Sequence, residues 1–523
     1  MVMRLFGVVM LLLVWVPPGR ADYFEATGYR ELAAGLGASL PDGTGLGVTQ
    51  VEYGDPEYLP QTGSGTFSGS GSFFSGKTFT AKSGGTEASS HAFDVGAHFY
   101  SRNTNPAAGR ASFTPGISGI DLYRVDPIST STSWRQQGWL EPGPTTAPLV
   151  ETRVVQNHSW ISTGTAADDN DSLRRLDFAV RRDGFLPVTG VNNGSSAVPA
   201  LMASGYNNLA VGLSSGIHST GGVAPGLDGP GRQKPELVAP LDYTSFSTAL
   251  VSSAAALLRQ SAGSQGPNAS RPETLKAILL AGATKEEFPT WTRSPTSPLD
   301  TIFGAGELQI AHSWHILAGQ EQPANQTTPR PVAAWSRVTL TTSTTADYLV
   351  QVPPGSVGQS FSGIAAWNRV VTNAGTGGRF VMSVAALANY QLSFARLPVA
   401  GGPVVLDESL SAIENVEHVY QKGLPSGTYR LRLSLASGSN VPATVAWRLH
   451  VAPHRPGIFL SPTATHDGLS FTGLLPGQAY LIQGSGNLSA WSPVQAFTAT
   501  GNTFTWTGAK QAGRFFYRLA ATG

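Results

Sequence analysis

The sequence contains no cysteine among its 523 residues. Disulfides, thiolate nucleophiles, zinc–thiolate sites and iron–sulfur clusters are therefore excluded. Charged residues make up only 13% of the chain, about half the usual quarter. Lys and Arg (34) nearly balance Asp and Glu (33), which argues against a nucleic-acid-binding protein with its basic surface patch. After residue 21 no uninterrupted apolar run is long enough to predict a membrane-spanning helix.

The residues that are plentiful point to a folded, turn-rich protein. Hydrophobic residues make up 41% of the chain, enough for packed cores. The 61 glycines and 36 prolines favour many turns. Together with the scarcity of charge, this composition predicts a β-rich secreted protein.

Residues 1–21 have the pattern of a secretory signal peptide. Arg4 supplies an early positive charge, residues 5–16 form an apolar run, and a small-residue ending follows at Ala21. The apolar run is short for a bilayer span, and an uncleaved N-terminal anchor is the alternative. We expect cleavage near Ala21 and an extracellular or periplasmic protein. The lack of cysteine suits a bacterial exoprotein.

Three compositional zones follow the signal peptide. Residues 22–319 alternate strand and helix patterns, which predicts an α/β domain with a mostly parallel sheet. The strands predicted there are Gly47–Glu52, Val154–Ser159, Leu186–Val191, Asn208–Leu213 and Glu236–Ala239. The predicted helices are Ser172–Arg182, Ser247–Gln260 and Pro272–Ala281. Beyond a Pro/Thr/Gln-rich linker, residues 332–451 and 457–523 show strand and turn patterns alone, which predicts two all-β modules.

Polar residues follow the predicted strands or begin the predicted helices. Glu52 ends the first strand, and His91 begins an apolar, helix-capable run. Asn192 and Asn193 lie in a glycine turn after another strand, and Ser245 opens the most apolar helix. Because the carboxyl ends of parallel strands meet at one crevice, we expect these side chains to converge. An acid, a histidine, a carboxamide and a serine together make a nucleophilic hydrolase site.

The segments around these residues resemble those of the subtilisin-like serine peptidases (subtilases), whose acid, histidine and serine follow in this chain order. Lys234–Pro240 is similar to the family segment KPDIVAPG, and Thr244–Leu257 resembles the nucleophile helix GTSMASPHVAGAAAL. Val154–Ser159 resembles the cleft-lining strand VINMSLG, and Pro272–Ala281 resembles the helix where these domains finish. The resemblance covers about residues 40–315. It implies a subtilisin-like three-layer fold.

The resemblance also implies a role for each candidate residue. Ser245 would be the nucleophile, His91 the general base, and Glu52 the acid that orients the imidazole. The implied function is a secreted serine endopeptidase that hydrolyses peptide bonds through an acyl-enzyme. Its partners would be protein or peptide substrates.

The oxyanion and substrate contacts are implied in the same way. Asn192 would donate a hydrogen bond to the oxyanion, and Asn193 is the competing assignment. Ser159 and Gly190 would contribute to substrate binding. No cofactor and no metal site is predicted from these residues. A structural calcium site built from scattered loop carbonyls, common in the family, has no sequence signal of its own.

Three residues depart from the family pattern. Glu52 stands where the family usually has Asp, and its extra methylene moves the carboxylate by roughly 1 Å, a displacement that can cost about 10²-fold in rate. Activity therefore requires Glu52 to reach within about 3.2 Å of a His91 ring nitrogen. Asp94 stands where the family has a second histidine. Tyr243 replaces a glycine and could crowd the approach to Ser245.

These departures leave two alternatives open. The first is a subtilase-fold protein that has lost turnover and acts as an extracellular binding or adhesion module. The second is an enzyme that acts on non-peptide acyl groups. Residues 332–451 resemble jelly-roll or sandwich domains of secreted bacterial peptidases, and residues 457–523 resemble a fibronectin-like module. For these two modules we include carbohydrate or cell-surface contact among the expectations.

Overall fold

The computed structural model describes residues 22–54, 57–61, 73–125, 134, 139, 145–229, 231–511 and 514–522. The predicted signal peptide lies outside the described residues. The α-helices are α1 (Tyr23–Ala26), α2 (Tyr29–Leu36), α3 (Ser90–Phe99), α4 (Ala166–Asp183), α5 (Thr244–Ala262), α6 (Pro272–Gly282) and α7 (Ile310–Ala318). Within the described part of the chain, no helix combines the length and apolar character needed to cross a bilayer.

The first unit is built on a parallel sheet. Its strands are β1 (Gly47–Glu52), β2 (Leu59–Pro60), β3 (Thr78–Ala81), β4 (Ala88–Ser89), β5 (Gly119–Arg124), β6 (Val155–His158), β7 (Leu186–Gly190), β8 (Leu209–Leu213), β9 (Gly221–Gly222), β10 (Gln233–Lys234) and β11 (Leu237–Ala239). Seven of these described strands form one sheet in the order β11-β8-β7-β6-β1-β5-β3, and each neighbouring pair is parallel.

Apolar side chains on both faces of this sheet are buried, as a covered parallel sheet requires. Val48 packs into the core that contains α3, α5, α6 and α7. Val51, three residues further along β1, points into the opposite core with Leu176 and Val180 of α4. The sheet therefore lies between two helical layers. This arrangement confirms the predicted three-layer α/β fold class with its mostly parallel sheet.

The predicted strands and helices agree closely with the observed ones. β1 has the predicted bounds, and β6, β7, β8 and β11 end or begin one residue from their predicted limits. Helix α4 begins six residues before the predicted Ser172, where Thr165 Oγ1 accepts a hydrogen bond from Asp168 N at 3.3 Å. The hydrogen bond of the N-cap residue sets that boundary, and the apolar pattern of the sequence contains no signal for it.

Strand β5 was absent from the predicted set although it pairs with β1 along its whole length. Its apolar pattern is interrupted by Asp121, which is only 4% exposed. Arg153 donates to Asp121 Oδ1 at 2.8 Å, and Lys82 lies 3.6 Å from its other carboxylate oxygen. Because distant cations compensate this buried charge, the strand is stable despite a polar sequence.

The second unit is a two-sheet β-sandwich. One sheet has the order β12-β21-β14-β19 and the other β13-β20-β17-β18, and their paired strands are antiparallel. The strands of this unit are β12 (Ala333–Thr339), β13 (Thr345–Val352), β14 (Ser356–Trp367), β15 (Val371–Asn373), β16 (Met382–Val384), β17 (Asn389–Leu397), β18 (Val404–Ser409), β19 (Val416–Leu424), β20 (Gly427–Ser437) and β21 (Pro442–Pro453).

The last unit is also all β. It has two three-stranded antiparallel sheets, β22-β23-β26 and β25-β24-β27. Its strands are β22 (Gly457–Leu460), β23 (His466–Thr472), β24 (Ala479–Ser485), β25 (Ser492–Thr498), β26 (Thr503–Ala509) and β27 (Phe516–Thr522). Both trailing units thus have the all-β character that their sequence patterns predict.

A buried arginine of the sandwich anchors it to the α/β domain. Arg369 Nε donates to Asp177 Oδ2 at 2.6 Å, and the Arg369 guanidinium also pairs with Asp228. Its backbone N–H donates to Asn207 Oδ1 at 2.7 Å, and the Asn207 amide donates back to the Arg369 carbonyl at 2.9 Å. The side chains of Arg369 and Asp177 are 4% and 1% exposed. Two buried carboxylates are therefore paired with a residue from the neighbouring unit, and Asp228 also accepts from Arg174 Nε at 2.8 Å.

Replacing Arg369 by Met is expected to lower the free energy of unfolding by about 3–5 kcal/mol, because buried Asp177 loses the guanidinium that pairs with it and Asp228 loses one of its two cations. The matched control is Arg432→Met, since Arg432 pairs with Asp347 near the surface, with side chains 36% and 21% exposed. Such a pair contributes about 0–1 kcal/mol. Denaturant unfolding of both variants measures the difference, and equal losses would contradict the anchoring role of Arg369.

Candidate active site

The sheet topology brings the candidate residues to one edge. After β1 the chain adds β5 and β3 along one direction of the sheet, and after β6 it adds β7, β8 and β11 along the opposite direction. The neighbouring strands β1 and β6 therefore mark a switch point in the strand order. Glu52 is the last residue of β1, and Ser159 directly follows β6. Asn192 and Asn193 follow β7, the next strand. The carboxyl ends of three neighbouring strands therefore carry four of the predicted site residues.

Glu52 and His91 form a direct hydrogen bond. His91 is the second residue of α3, whose N-terminus is capped by the Ser89 hydroxyl, which accepts from Ala92 N at 3.2 Å. The His91 Nδ1 to Glu52 Oε2 distance is 2.8 Å. Glu52 is buried, with its side chain 2% exposed, whereas the His91 side chain is 45% exposed. The longer Glu side chain thus reaches the histidine within the distance that general-base catalysis requires.

Gln50 holds the second oxygen of the Glu52 carboxylate. Its amide donates to Glu52 Oε1 at 2.8 Å and to the Ala92 carbonyl of α3 at 2.9 Å. The Tyr100 hydroxyl in turn donates to Gln50 Oε1 at 2.5 Å. Gln50 is fully buried in the middle of β1, so its polarity is satisfied by this network. The sequence analysis missed Gln50, although a carboxamide inside an apolar strand is a signal for such a network.

The pKa of His91 is raised from its ordinary value of 6.5. Burial of the ring lowers this pKa, but the charge of Glu52 and its hydrogen bond favour the imidazolium and outweigh that effect, with a further contribution from Asp94. Because Glu52 accepts from Nδ1, the Nε2 atom of neutral His91 carries the free lone pair. That nitrogen is the one available to take a proton.

Asp94 does not substitute for Glu52. Its carboxylate pairs with Arg110, at 2.6 Å from Nε and 2.9 Å from Nη2. It lies one turn beyond His91 on the same helix, as the sequence spacing predicts. Asp94 therefore adds a paired charge beside the histidine, and the hydrogen-bonded acid is Glu52.

Ser245 lies in the first turn of α5, beside the segment that directly follows β6. The Ser159 hydroxyl donates to the Ser245 carbonyl at 2.8 Å, and Ser245 Oγ donates to the Ser159 carbonyl at 3.4 Å. Asn157 donates to Ser159 Oγ at 2.9 Å, which fixes the hydroxyl. Among the described residues, no hydrogen bond joins Ser245 Oγ to His91. Hydrogen bonds between catalytic groups are often long in ligand-free proteins and tighten when substrate binds.

The two asparagines after β7 have different partners. The Asn192 side-chain amide donates to Ser196 Oγ at 3.2 Å. The Asn193 Oδ1 atom accepts from Thr244 N at 2.9 Å and from Thr244 Oγ1 at 3.1 Å. Because a backbone N–H needs an acceptor, this contact fixes the Asn193 amide orientation and leaves its NH₂ group as a donor. Asn193, rather than Asn192, is therefore tied to the residue that precedes the candidate nucleophile.

Gly190 and Tyr243 both lie next to the first turns of α5. Gly190 is buried, and a Cβ atom there would lie 3.0 Å from Thr248 Oγ1, so the glycine permits close packing of β7 against α5. The Tyr243 ring is 54% exposed and meets Phe246 edge-on at 5.3 Å. The Tyr243 ring therefore packs against Phe246 in the first turn of α5.

The described residues contain no group of three or more potential metal ligands. The site combines a histidine of α3 that is polarised by a buried carboxylate with a hydroxyl in the first turn of α5, the helix that packs against α3. Such an arrangement can activate a serine for nucleophilic attack.

No protein-family model matches this chain, and no curated protein matches it. Three of the solved structures that do match are proteases by name. The patellamide maturation protease PatA is 18% identical with a TM-score of 0.36, and the match covers 54% of this chain and 99% of that one. The prenylagaramide maturation protease PagA is 18% identical with a TM-score of 0.38, covering 55% and 97%. The serine protease MycP1 of the type VII (ESX-1) secretion system is 14% identical with a TM-score of 0.31, covering 57% and 90%.

The likeness to these proteases is limited to 18% sequence identity or less. At these values it does not establish the activity of this chain, which has to be inferred from its own residues.

Replacing Glu52 by Gln is expected to lower the pKa of His91, because the amide loses the charge that favours the imidazolium. NMR titration of the His91 ring measures this shift, and Asp94→Asn is the matched control with a smaller expected decrease. Since the folded-state pKa is raised, the stability that this pair contributes is full below the ordinary value and is lost as the pH rises through the folded-state pKa. An unchanged His91 pKa in the Glu52→Gln variant would contradict the pairing.

Proposed function

We propose that this protein is an exported serine endopeptidase of the subtilisin-like class. The observation that carries the proposal is the 2.8 Å contact between buried Glu52 and His91, which leaves His91 Nε2 available on α3. Helix α3 packs against α5, the helix that begins with Thr244 and Ser245. The substrates would be proteins or peptides, and residues 1–21 would direct export. Structural calcium, and carbohydrate or cell-surface contact through the trailing modules, remain part of the proposal.

In the proposed reaction, Ser245 Oγ attacks the carbonyl carbon of the scissile peptide bond. His91 Nε2 takes the hydroxyl proton as the C–O bond forms, and Glu52 stabilises the resulting imidazolium. The tetrahedral intermediate collapses, the C–N bond breaks, and His91 gives its proton to the leaving amine. Water then attacks the acyl-enzyme with His91 again as base, which releases the acid product and restores Ser245.

Attack requires Ser245 Oγ to leave its resting contact with the Ser159 carbonyl. That contact is long, at 3.4 Å, so rotation of the serine side chain costs little. Once released, the Ser159 carbonyl is an acceptor for a substrate N–H, which supports the assignment of Ser159 to substrate binding. Because His91 must be neutral to act as a base, activity is expected to rise as the pH passes its raised pKa.

We assign the oxyanion donor to Asn193 rather than Asn192. The Asn193 NH₂ group is a free donor whose orientation is fixed through Thr244, and the backbone N–H of Ser245 at the helix N-terminus supplies a second donor. The Asn192 amide instead donates to Ser196. Preorganised donors of this kind stabilise the charge that develops on the substrate oxygen.

Labelling with a fluorophosphonate probe tests the proposed activity. The chain from Asp22 onward is expected to react covalently at Ser245, because His91 activates this hydroxyl. Ser245→Ala should abolish the labelling, and Ser247→Ala is the matched control, since the Ser247 hydroxyl is buried and donates to the Ala239 carbonyl. A folded protein that stays unlabelled would contradict turnover and favour the binding module as the alternative.

Asn193→Asp is expected to lower kcat by at least about 10²-fold, the usual cost of removing an oxyanion donor. The substitution keeps an acceptor for Thr244 N while it removes the donor, so the start of α5 is retained. Asn192→Asp adds the same charge one residue away and should have a much smaller effect. Steady-state hydrolysis of a peptide substrate gives the comparison, and a larger loss for Asn192→Asp would reverse the assignment.

A further inference from the structure

A polar groove lies between the α/β domain and the β-sandwich and contains none of the candidate active-site residues. It consists of two adjoining cavities of about 480 and 270 Å³. Both are lined by Lys285, Glu286 and Tyr420, so they share a common wall. Lys285 follows α6 of the α/β domain, whereas Tyr420 belongs to β19 of the sandwich. Both units therefore build this groove.

Cations outnumber anions along the groove. Lys285, Lys422 and Arg448 line it, and a fourth cation, Arg293, is paired with Asp407. Once that pair is set aside, Glu286 is the remaining carboxylate among the described lining residues. Its carboxylate accepts a hydrogen bond from Thr284 Oγ1 at 2.9 Å. Three cations thus face one carboxylate.

The cationic side chains have unused hydrogen-bond donors. Lys285 is only 3% exposed, and its ammonium group donates to the Ala283 carbonyl at 3.0 Å. An ammonium group has three N–H donors and a guanidinium has five. In the described part of the chain, neither Arg448 nor Lys422 has a side-chain hydrogen bond or ion pair. A ligand in the groove would meet donors from both units.

Lys285 is held in a defined position by aromatic rings. Its Nζ atom lies 4.9 Å from the centre of the Tyr420 ring and 5.5 Å from that of Trp291. The Trp291 indole is itself fixed by donation to the Gly304 carbonyl at 3.0 Å. These contacts preorganise the ammonium group at the wall that the two cavities share.

The surroundings of Lys285 disfavour its charged form. Burial lowers its pKa to about 7, Glu286 opposes this effect, and repulsion from Arg448 and Lys422 adds to it. An anion between these cations would offset both the burial and the repulsion.

We propose that this groove binds a small oxyanion, of the phosphate or carboxylate type, through Lys285 and Arg448. Because Lys285 belongs to the α/β domain and Arg448 to β21 of the sandwich, the bound anion would link the two units. The site is separate from the proposed peptidase chemistry and does not depend on it.

Isothermal titration calorimetry of the mature full-length protein tests this proposal, with inorganic phosphate and malonate as probes at constant ionic strength. Binding of either probe with a Kd of about 1 mM or tighter supports the site, and the tighter probe identifies the oxyanion type. Lys285→Met and Arg448→Gln should each weaken binding by about tenfold or more, since each loses a charge-assisted hydrogen bond. Lys422→Gln, at an exposed position, gives a variant that keeps the buried wall intact and should also weaken binding.

Arg455→Gln is the control, because Arg455 is exposed and lies outside the groove. Circular dichroism checks that each variant is folded. Absence of binding to the unaltered protein, or an equal loss in the Arg455→Gln variant, would overturn the proposal.

Discussion

The hydrogen bond between the Glu52 carboxylate and the His91 ring is the interaction on which the candidate site depends. Strand β1 lies in the interior of the sheet between β5 and β6, which hold the strand that ends at Glu52 on both sides up to Val51. Gln50 holds one carboxylate oxygen and reaches α3 beside His91. The extra methylene of Glu, compared with Asp, is thus accommodated by a strand and helix that are joined through Gln50. The carboxylate has no freedom to turn away from the histidine.

The remaining groups depend on the same sheet edge through α5. This helix packs against β6, β7 and β8, and the small residue Gly190 lets its first turn approach β7 closely. Ser159 and Asn193 then hold the Thr244–Ser245 backbone from two sides, through the contacts of their side chains. The candidate nucleophile Ser245 is therefore positioned by hydrogen bonds to the two segments that follow β6 and β7. The β-sandwich lies outside this arrangement. It is joined to the α/β domain through Arg369 and along the groove lined by Lys285 and Arg448.

Much of the sheet and site could be predicted from the sequence because local signals coincide with tertiary ones there. The apolar run that ends at Glu52 predicted β1 with its observed bounds, and strand ends predicted which residues converge. Asn193 could not be separated from Asn192, because one residue of spacing does not reveal which amide faces Thr244. Asp121 and Arg369 are stabilised by partners distant in sequence, so neither β5 nor the interdomain anchor had a local pattern. The N-terminal extension of α4 depends on a cap rather than on apolar periodicity.

The most direct measurement is mass spectrometry of the protein after brief reaction with an activated ester substrate and an acid quench. The proposed mechanism passes through an acyl-enzyme, and acid slows its hydrolysis by protonating His91. The account predicts one added acyl group, located by peptide mapping on the fragment that contains Ser245. A folded protein with unmodified Ser245, or with acylation spread over other nucleophiles at the same rate, would contradict it.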